Sequence, residues 1–179
     1  YDEQYFLGAC EGYEEYVRTH GEYLSRRLSQ AFAVAQVTPG MRVLDVGCGR
    51  GEILRHVTRL GARAYGVDYA EVAVKLSREA TRDEPQSIGV YRTDAKRLPY
   101  PAASFDRALI FDVVEHLYPW ELELCLAEVR RVLKPGGVFF AAEYTDSGVA
   151  ANYDSIHDQK RDVGWRQEYY RLNQIYIRG

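Results

Sequence analysis

The sequence has few cysteines, no block of basic residues and no long apolar run. Its three cysteines, Cys10, Cys48 and Cys125, are odd in number and show no CxxC spacing. Neither a disulfide framework nor a zinc cage is therefore indicated, and we expect free thiols and no metal. The net charge is -3, and charges of both signs are mixed along the chain, so we expect no nucleic-acid partner.

The chain also lacks signals for a membrane or for export. No apolar run approaches the roughly 20 residues that a membrane-spanning helix needs. The first four residues, Tyr1 to Gln4, are acidic and polar, where a signal peptide would be basic and then apolar. We therefore expect a cytoplasmic protein without a membrane span.

Strand and helix patterns alternate along the chain. The 179 residues, 46% of them hydrophobic and 27% charged, suit one soluble domain with a single core. Strands are predicted at 41–46, 62–67, 88–93, 105–111 and 138–143, and helices at 12–36, 50–60, 70–80 and 119–133. Strands joined by single helices run parallel with right-handed crossovers. The pattern therefore predicts an α/β fold with a doubly wound, mostly parallel sheet.

Glycines follow the first predicted strand at every second position. The run at 43–52 reads Val-Leu-Asp-Val-Gly-Cys-Gly-Arg-Gly-Glu, and the apolar residues of 53–60 then recur at helical spacing. This predicts a turn from strand to helix, which aims backbone N–H groups and the positive end of the helix dipole at a ligand. We expect an anionic or polar cofactor there, most simply a nucleotide.

Acidic residues stand at the ends of four predicted strands: Asp45, Asp68, Asp94 and Asp112. Asp68, after the second strand, can accept both hydroxyls of a ribose, as adenosine-containing cofactors of several kinds require. The third glycine of the dinucleotide pattern is replaced by Glu52, whose charge would repel a pyrophosphate. No Gly-Lys-Ser or Gly-Lys-Thr follows, so a P-loop is excluded.

Six short motifs in this order resemble class I S-adenosylmethionine-dependent methyltransferases. They are Val-Leu-Asp-Val-Gly-Cys-Gly-Arg-Gly at 43–51, Gly-Val-Asp at 66–68, Thr-Asp-Ala at 93–95, Leu-Pro-Tyr-Pro-Ala-Ala-Ser-Phe-Asp at 98–106, Glu-His-Leu at 115–117 and Leu-Lys-Pro-Gly-Gly at 133–137. The resemblance covers 38–144 and is greatest to the group that includes the ubiquinone and menaquinone methyltransferases. It implies a Rossmann-like fold, S-adenosylmethionine as cofactor, S-adenosylhomocysteine as product and methyl transfer to oxygen, nitrogen or carbon of a small molecule.

The resemblance also implies which residues bind the cofactor. They are Asp45, Gly47, Cys48, Gly49, Asp68, Tyr69, Asp94, Ala95 and Phe111. Among these, Asp68 would bind the ribose and Tyr69 would pack on the adenine. Asp94 would accept from the adenine amino group, the Ala95 N–H would donate to the ring, and the Phe111 carbonyl would meet the cofactor's ammonium group.

The candidate catalytic residues are His116 and Tyr5. Methyl transfer from a sulfonium is an in-line displacement that needs alignment of donor and acceptor, and a base only where the acceptor must lose a proton. His116 is our candidate base, and its alternative is a purely structural role. In phosphoethanolamine enzymes of this class, a histidine at the matching place acts with an N-terminal tyrosine, for which Tyr1, Tyr5 and Tyr13 are available.

We predict a single domain, 1–179, in three parts: a helical lid at 1–37, the cofactor-binding core at 38–144 and an acceptor-side segment at 145–179. Five of the 15 tyrosines lie in 1–23 and five in 144–179, where amphipathic rings could line an acceptor pocket. A loose group of His157, Asp154 and Asp158 is interpreted as solvated.

The C-terminal segment is short for completing the sheet, and an open edge favours a homodimer or another partner protein. The alternative function is a cofactor-binding scaffold without catalysis.

Overall fold

The computed structural model describes residues 4–9, 12–19 and 21–142. Five strands form one sheet, and each neighbouring pair is parallel. They are β1 Arg42–Val46, β2 Arg63–Asp68, β3 Ser87–Arg92, β4 Phe105–Phe111 and β5 Leu133–Ala142. The order across the sheet is β3-β2-β1-β4-β5, so the winding reverses between β1 and β4. The predicted doubly wound fold is confirmed, and the reversal opens a crevice at the carboxyl ends of β1 and β4.

Helices precede the sheet and connect its strands. They are a π-helix at Tyr5–Ala9, α1 Tyr13–Thr19, α2 Arg26–Val34, α3 Glu52–Arg59, α4 Glu71–Ala80, a 3-10 turn at Val114–His116 and α5 Pro119–Val132. Within the described residues, none of these helices has both the length and the apolar character needed to cross a bilayer.

Both faces of the sheet are covered by helices. Alternate residues of a strand point to opposite faces, and the core divides accordingly. Val43 and Leu109 pack in a cluster with residues of α2, α3 and α4, whereas Leu44 and Ile110 pack in a second cluster with residues of α5. All four side chains are fully buried. The sheet is therefore rigidly supported from both sides, which fixes the positions of its strand ends.

The N-terminal helix predicted at 12–36 is wrong as a single element. Helix α1 ends at Thr19, and α2 begins only at Arg26. Between them Gly21 has a φ of +68°, and the Ser25 hydroxyl caps α2 by accepting from the Leu28 N–H at 3.3 Å. A left-handed glycine and a serine cap interrupt the apolar stripe, and these local signals outweigh its helical spacing.

The last described strand begins earlier than predicted. The residues at 134–137, which precede the predicted strand at 138–143, already belong to β5, which starts at Leu133. The pairing shifts register between Phe105 and Arg107 of β4, so the extra residues of β5 form an irregularity within the ladder. The other predicted strands and helices within 38–133 agree with the structure to within two residues.

Several predictions concern residues outside the described ranges. These are the acceptor-side segment, the shortened C-terminal strands, the loose group around His157, and the positions of Tyr1 and Cys10.

Candidate functional site

The turn between β1 and α3 is fastened to the end of β2. The backbone N–H groups of Gly47 and Cys48 both donate to the Val67 carbonyl, at 2.8 and 3.0 Å. Gly47 and Gly49 have φ values of +78° and +50°, a conformation that favours glycine. The motif therefore forms the strand-to-helix turn that the sequence predicts, with its position set by the neighbouring strand.

Gly47 and Gly49 lie in different surroundings. A Cβ at Gly47 would come within 2.2 Å of the Val113 Cγ2 atom, so this glycine makes room for the residues that follow β4. A Cβ at Gly49 would have no described atom within 4 Å. Gly49 therefore borders open space, and a ligand can approach the backbone there.

Asp68 lies directly beside this open position. Its Oδ2 atom accepts from the Gly49 N–H at 3.0 Å, and its Oδ1 atom accepts from the Ala70 N–H at 2.8 Å. Burial raises the pKa of the Asp68 carboxyl, while these backbone donors act in the opposite direction. A carboxylate has about four acceptor positions, so Asp68 can still accept from two hydroxyl groups.

Asp45 is a buried acid next to Asp68. Its side chain is 3% exposed, and burial raises its pKa to about 8, with further contributions from the charges of Asp68 and Glu52. Asp45 is therefore largely protonated at neutral pH. A cationic ligand above the turn would favour its ionised form.

Arg50, for which no role was predicted, joins the N-terminal residues to the glycine turn. The side chain is 3% exposed, and its guanidinium donates to the Phe6 carbonyl at 3.1 Å and lies 4.9 Å from the centre of the Tyr16 ring. It also pairs with Glu52 at 3.0 Å. The charge of Glu52, expected to repel a pyrophosphate, is thus offset by Arg50. An arginine between two glycines is expected to be exposed, so no local feature of the sequence indicated the contact of Arg50 with the N-terminal residues.

A second arginine binds the acid at the end of β4. Arg27 of α2 forms a salt bridge and hydrogen bond with Asp112, a residue with a left-handed backbone at φ +57°. The strand-end position of Asp112 is as predicted, but its carboxylate is occupied by the N-terminal region. Arg27 and Arg50 together fasten the N-terminal helices to the edge of the sheet that carries the glycine turn.

Asp94, after β3, is held by one lysine through two contacts. Its Oδ1 atom accepts from the Lys96 backbone N–H at 2.9 Å, and its Oδ2 atom pairs with the Lys96 ammonium at 2.9 Å. Burial would raise the pKa of Asp94, but these contacts with Lys96 outweigh it, and the pKa is lowered. Asp94 therefore stays ionised and acts as an acceptor. Ala95, between the two residues, is half-buried.

The other predicted cofactor residues differ in accessibility. Tyr69 is 69% exposed, so its ring is free to pack against a ligand, whereas Phe111 is buried. The Cys48 side chain is also buried and accepts a hydrogen bond from the Ser77 hydroxyl at 3.3 Å. Burial raises the pKa of its thiol well above the usual range. Cys48 thus packs its side chain toward α4 and offers only its backbone to the turn.

The two candidate catalytic residues lie on different elements. His116 ends the 3-10 turn after β4, is half-buried, and donates its backbone N–H to the Val113 carbonyl at 3.0 Å. Tyr5 contacts Phe6 ring edge to face, 5.1 Å between centres, and packs against the start of α4. Tyr5 therefore stands on the side of the crevice near Asp68. The catalytic roles of both residues stay predictions.

A separate groove of about 320 Å³ lies along β3 and the last turn of α4. Its lining includes Arg78, Arg82 and Tyr91 but none of the strand-end acids, so it is not the predicted cofactor site. Within 4–9, 12–19 and 21–142, no group of three or more histidine, cysteine, aspartate or glutamate side chains could hold a metal ion.

The fold and the strand-end site define a Rossmann-like protein with an adenosine-type cofactor site, and comparison with known proteins identifies its family. The family described as "Methyltransferase domain" matches residues 44–141. The chain is 31% identical over 125 residues to the ubiquinone biosynthesis O-methyltransferase of Agrobacterium fabrum, covering 68% of this chain and 49% of that protein. It is 32% identical over 152 residues to a sterol 24-C-methyltransferase of Gibberella zeae, covering 80% and 36%.

A solved structure agrees with these sequence matches. The PH0226 protein of Pyrococcus horikoshii superposes with a TM-score of 0.63 at 26% identity, over 78% of this chain and 62% of that chain. The chain belongs to the methyltransferase-domain family, within the ubiquinone methyltransferase-like group of the class I S-adenosylmethionine-dependent fold. The resemblance stated from the sequence is confirmed. The chain spans about half or less of the length of the two curated relatives.

We predict that Asp45→Asn stabilises the free protein increasingly as the pH rises. The pKa of Asp45 is raised to about 8 in the folded chain from an ordinary value of 3.8. Its contribution to stability is therefore complete below about pH 4 and is lost as the pH rises toward 8. Between pH 5 and pH 8, the free energy of unfolding of the variant relative to that of the wild type, measured with urea, should rise by on the order of a few kcal/mol. The exposed Asp83→Asn variant is the control, and an equal effect of both substitutions contradicts the prediction.

Proposed function

We propose that the protein transfers a methyl group from S-adenosylmethionine to a small-molecule acceptor by in-line displacement. The observation that carries this proposal is the pairing of open space at Gly49 with the Asp68 carboxylate, which lies 3.0 Å from the Gly49 nitrogen. Gly49 follows β1, which borders the reversal of the strand order, and Asp68 ends the neighbouring strand β2. A ribose held by Asp68 would place the rest of the nucleoside along the carboxyl ends of the strands.

The neighbouring residues supply complementary groups for an adenosine. Asp94 is an ionised acceptor suited to the adenine amino group, and the Ala95 N–H is assigned to the ring. Tyr69 is exposed enough to lie over the base. The Phe111 carbonyl is assigned to the ammonium group at the other end of the cofactor. These assignments support one another because they follow the strand ends in order from β3 to β4.

For methyl transfer, the protein mainly has to align the methyl donor with the acceptor and exclude water. The cofactor supplies an electrophilic methyl group on a sulfonium, whose leaving group departs neutral, so no covalent nucleophile on the protein is needed. Arg27 and Arg50 hold the N-terminal helices against the site, and we propose that this region covers the reacting groups. His116 is proposed as a base for acceptors that must lose a proton.

The acceptor is proposed as a small organic molecule. The two relatives are named as an O-methyltransferase of ubiquinone biosynthesis and a sterol 24-C-methyltransferase, so the accepting atom differs among proteins similar to this chain. The family fold does not set the reaction by itself. A silent scaffold, the alternative, would bind the cofactor without turnover, and no feature of the described residues favours it.

Two proposals concern the setting of the protein. Cys48 and Cys125 are free, buried thiols, which supports the reducing environment of the cytoplasm. The homodimer stays a prediction, because it rests on C-terminal residues outside the described ranges.

Binding of the cofactor can be tested at Gly49. Adding a methyl group there, Gly49→Ala, should lower the affinity for S-adenosylhomocysteine roughly tenfold or more in calorimetric titration, because the Cβ enters the ligand's space. Gly40→Ala is the matched control, since Gly40 also has a positive φ, +82°, and an open Cβ position, but lies before β1. Absence of binding to the wild-type protein overturns the proposed function. If Gly49→Ala and Gly40→Ala bind S-adenosylhomocysteine with equal affinity, Gly49 does not border the bound cofactor.

Removing the Asp68 carboxylate should weaken cofactor binding by about 1 to 3 kcal/mol, because two ribose hydroxyls lose their acceptor. Calorimetry on Asp68→Ala measures this loss. Asp68→Asn keeps one carbonyl oxygen that can accept from the Gly49 N–H, so it separates the effect on the ligand from an effect on the turn. Unchanged affinity in both variants would mean that the ribose binds elsewhere.

His116→Ala tests the proposed base. If His116 removes a proton from the acceptor, turnover should fall roughly a hundredfold or more, while the affinity for S-adenosylhomocysteine stays near that of the wild type. The measurement is a methyl-transfer assay across a panel of phenols, amines and activated carbon acids. His56→Ala, a histidine on α3 outside the predicted site, is the control. Intact turnover of His116→Ala makes this histidine structural.

A further inference from the structure

Lys96 connects the loop after β3 to the start of α5. Its ammonium lies 2.9 Å from Asp94 Oδ2 and 2.9 Å from Glu121 Oε1. The other oxygen of Glu121, Oε2, accepts from the Tyr118 backbone N–H at 3.0 Å, which caps α5. An unbroken chain of hydrogen bonds therefore runs from Asp94 to the N-terminus of α5, two residues beyond His116.

This chain of contacts limits how Asp94 can move and what it can bind. One lysine engages both carboxylate oxygens, one through its backbone N–H and the other through its ammonium. Glu121 in turn restrains that ammonium, and a network of this kind contributes more than an isolated surface pair. Each oxygen of Asp94 keeps one acceptor position for a ligand. Asp94 is thus oriented as an acceptor with no proton to donate.

An oriented acceptor of this kind distinguishes two classes of purine. A 6-aminopurine presents an N–H donor at the position that Asp94 is proposed to meet. A 6-oxopurine presents a carbonyl oxygen there, which a carboxylate repels, and a site arranged to accept from an N–H group discriminates against an analogue that lacks it.

We propose that Lys96, restrained by Glu121, is a positioning residue that fixes the Asp94 carboxylate as a hydrogen-bond acceptor and so sets the preference of the site for a 6-aminopurine nucleoside over a 6-oxopurine nucleoside. The inference rests on the proposed function, because it places the purine of the cofactor at the loop after β3.

The loop itself does not depend on Lys96 for its docking. The Leu98 N–H donates to Glu128 Oε2 at 2.8 Å, and the Leu98 carbonyl accepts from Arg131 Nη2 at 3.0 Å. Both partners lie in the later turns of α5. Removing the Lys96 ammonium should therefore release the Asp94 side chain while the loop stays attached to α5.

The test compares two ligands that differ only at this position of the purine. S-adenosylhomocysteine and its 6-oxo analogue, S-inosylhomocysteine, are titrated calorimetrically into the full chain. The wild type should prefer the amino compound. In Lys96→Met, affinity for the amino compound should fall roughly tenfold and affinity for the oxo compound much less, so the ratio of the two dissociation constants should shrink. Lys96→Arg keeps a cation and should restore the ratio.

The matched control is Lys75→Met, which removes a lysine paired with Glu71 at 3.5 Å on the exposed side of α4. Its ratio of dissociation constants should equal that of the wild type. The inference is overturned if Lys96→Met lowers the affinity for both ligands by the same factor, or lowers neither affinity. It is also overturned if the wild type binds both ligands with equal affinity. In each of these cases the proposed function stands. If the wild type binds neither ligand, the proposed function itself fails.

Discussion

The structure of the site depends on the hydrogen bonds of one carboxylate. Asp68 ends β2 and accepts from the backbone of the glycine turn and from the start of α4. Three elements are thereby fixed to one another: the turn after β1, the end of β2 and the first residue before the next helix. Because both N–H partners belong to backbone, the arrangement survives variation of many side chains. The arrangement partly buries the Asp68 carboxylate, which costs free energy, and that cost is lower when a ligand supplies further hydrogen-bond donors.

Three further acids near this edge pair with cations from different parts of the chain. Asp112 pairs with Arg27 of α2, Glu52 pairs with Arg50, and Asp94 pairs with Lys96. Such pairing offsets the negative charge of two of the four strand-end acids, Asp94 and Asp112, and of Glu52 after the glycine turn. Two of the cations, Arg27 and Arg50, also join the N-terminal helices to this edge of the sheet, and the third, Lys96, links Asp94 to Glu121 of α5. The same contacts therefore shape the electrostatics of this edge and tie three parts of the chain together.

Much of this architecture could be predicted from the sequence because it has local signals. The strands within 38–111 and the glycine turn follow from apolar spacing and from glycines between a strand and a helix. The N-terminal helix was predicted wrongly because its apolar stripe continues through Gly21 and Ser25, although both residues favour a break. The contacts of Arg50 and Arg27 could not be predicted. Arg50 contacts Tyr16 and Phe6, 34 and 44 positions earlier in the chain, and Arg27 contacts Asp112, 85 positions later, and no periodic pattern indicates such pairings.

Asp45 remains the least compensated group, and its environment bears on the charge of the ligand. It is buried next to Asp68, and burial together with the charges of Asp68 and Glu52 raises the pKa of Asp45 to about 8. A cation placed above the glycine turn favours loss of the Asp45 proton, and binding and deprotonation are then linked. The affinity for a neutral ligand of the same shape is not increased by the deprotonation of Asp45. We therefore expect such a site to bind a positively charged ligand more strongly than its uncharged counterpart, with a preference that grows with pH up to the pKa of Asp45. This is the relation expected between a sulfonium donor and its thioether product.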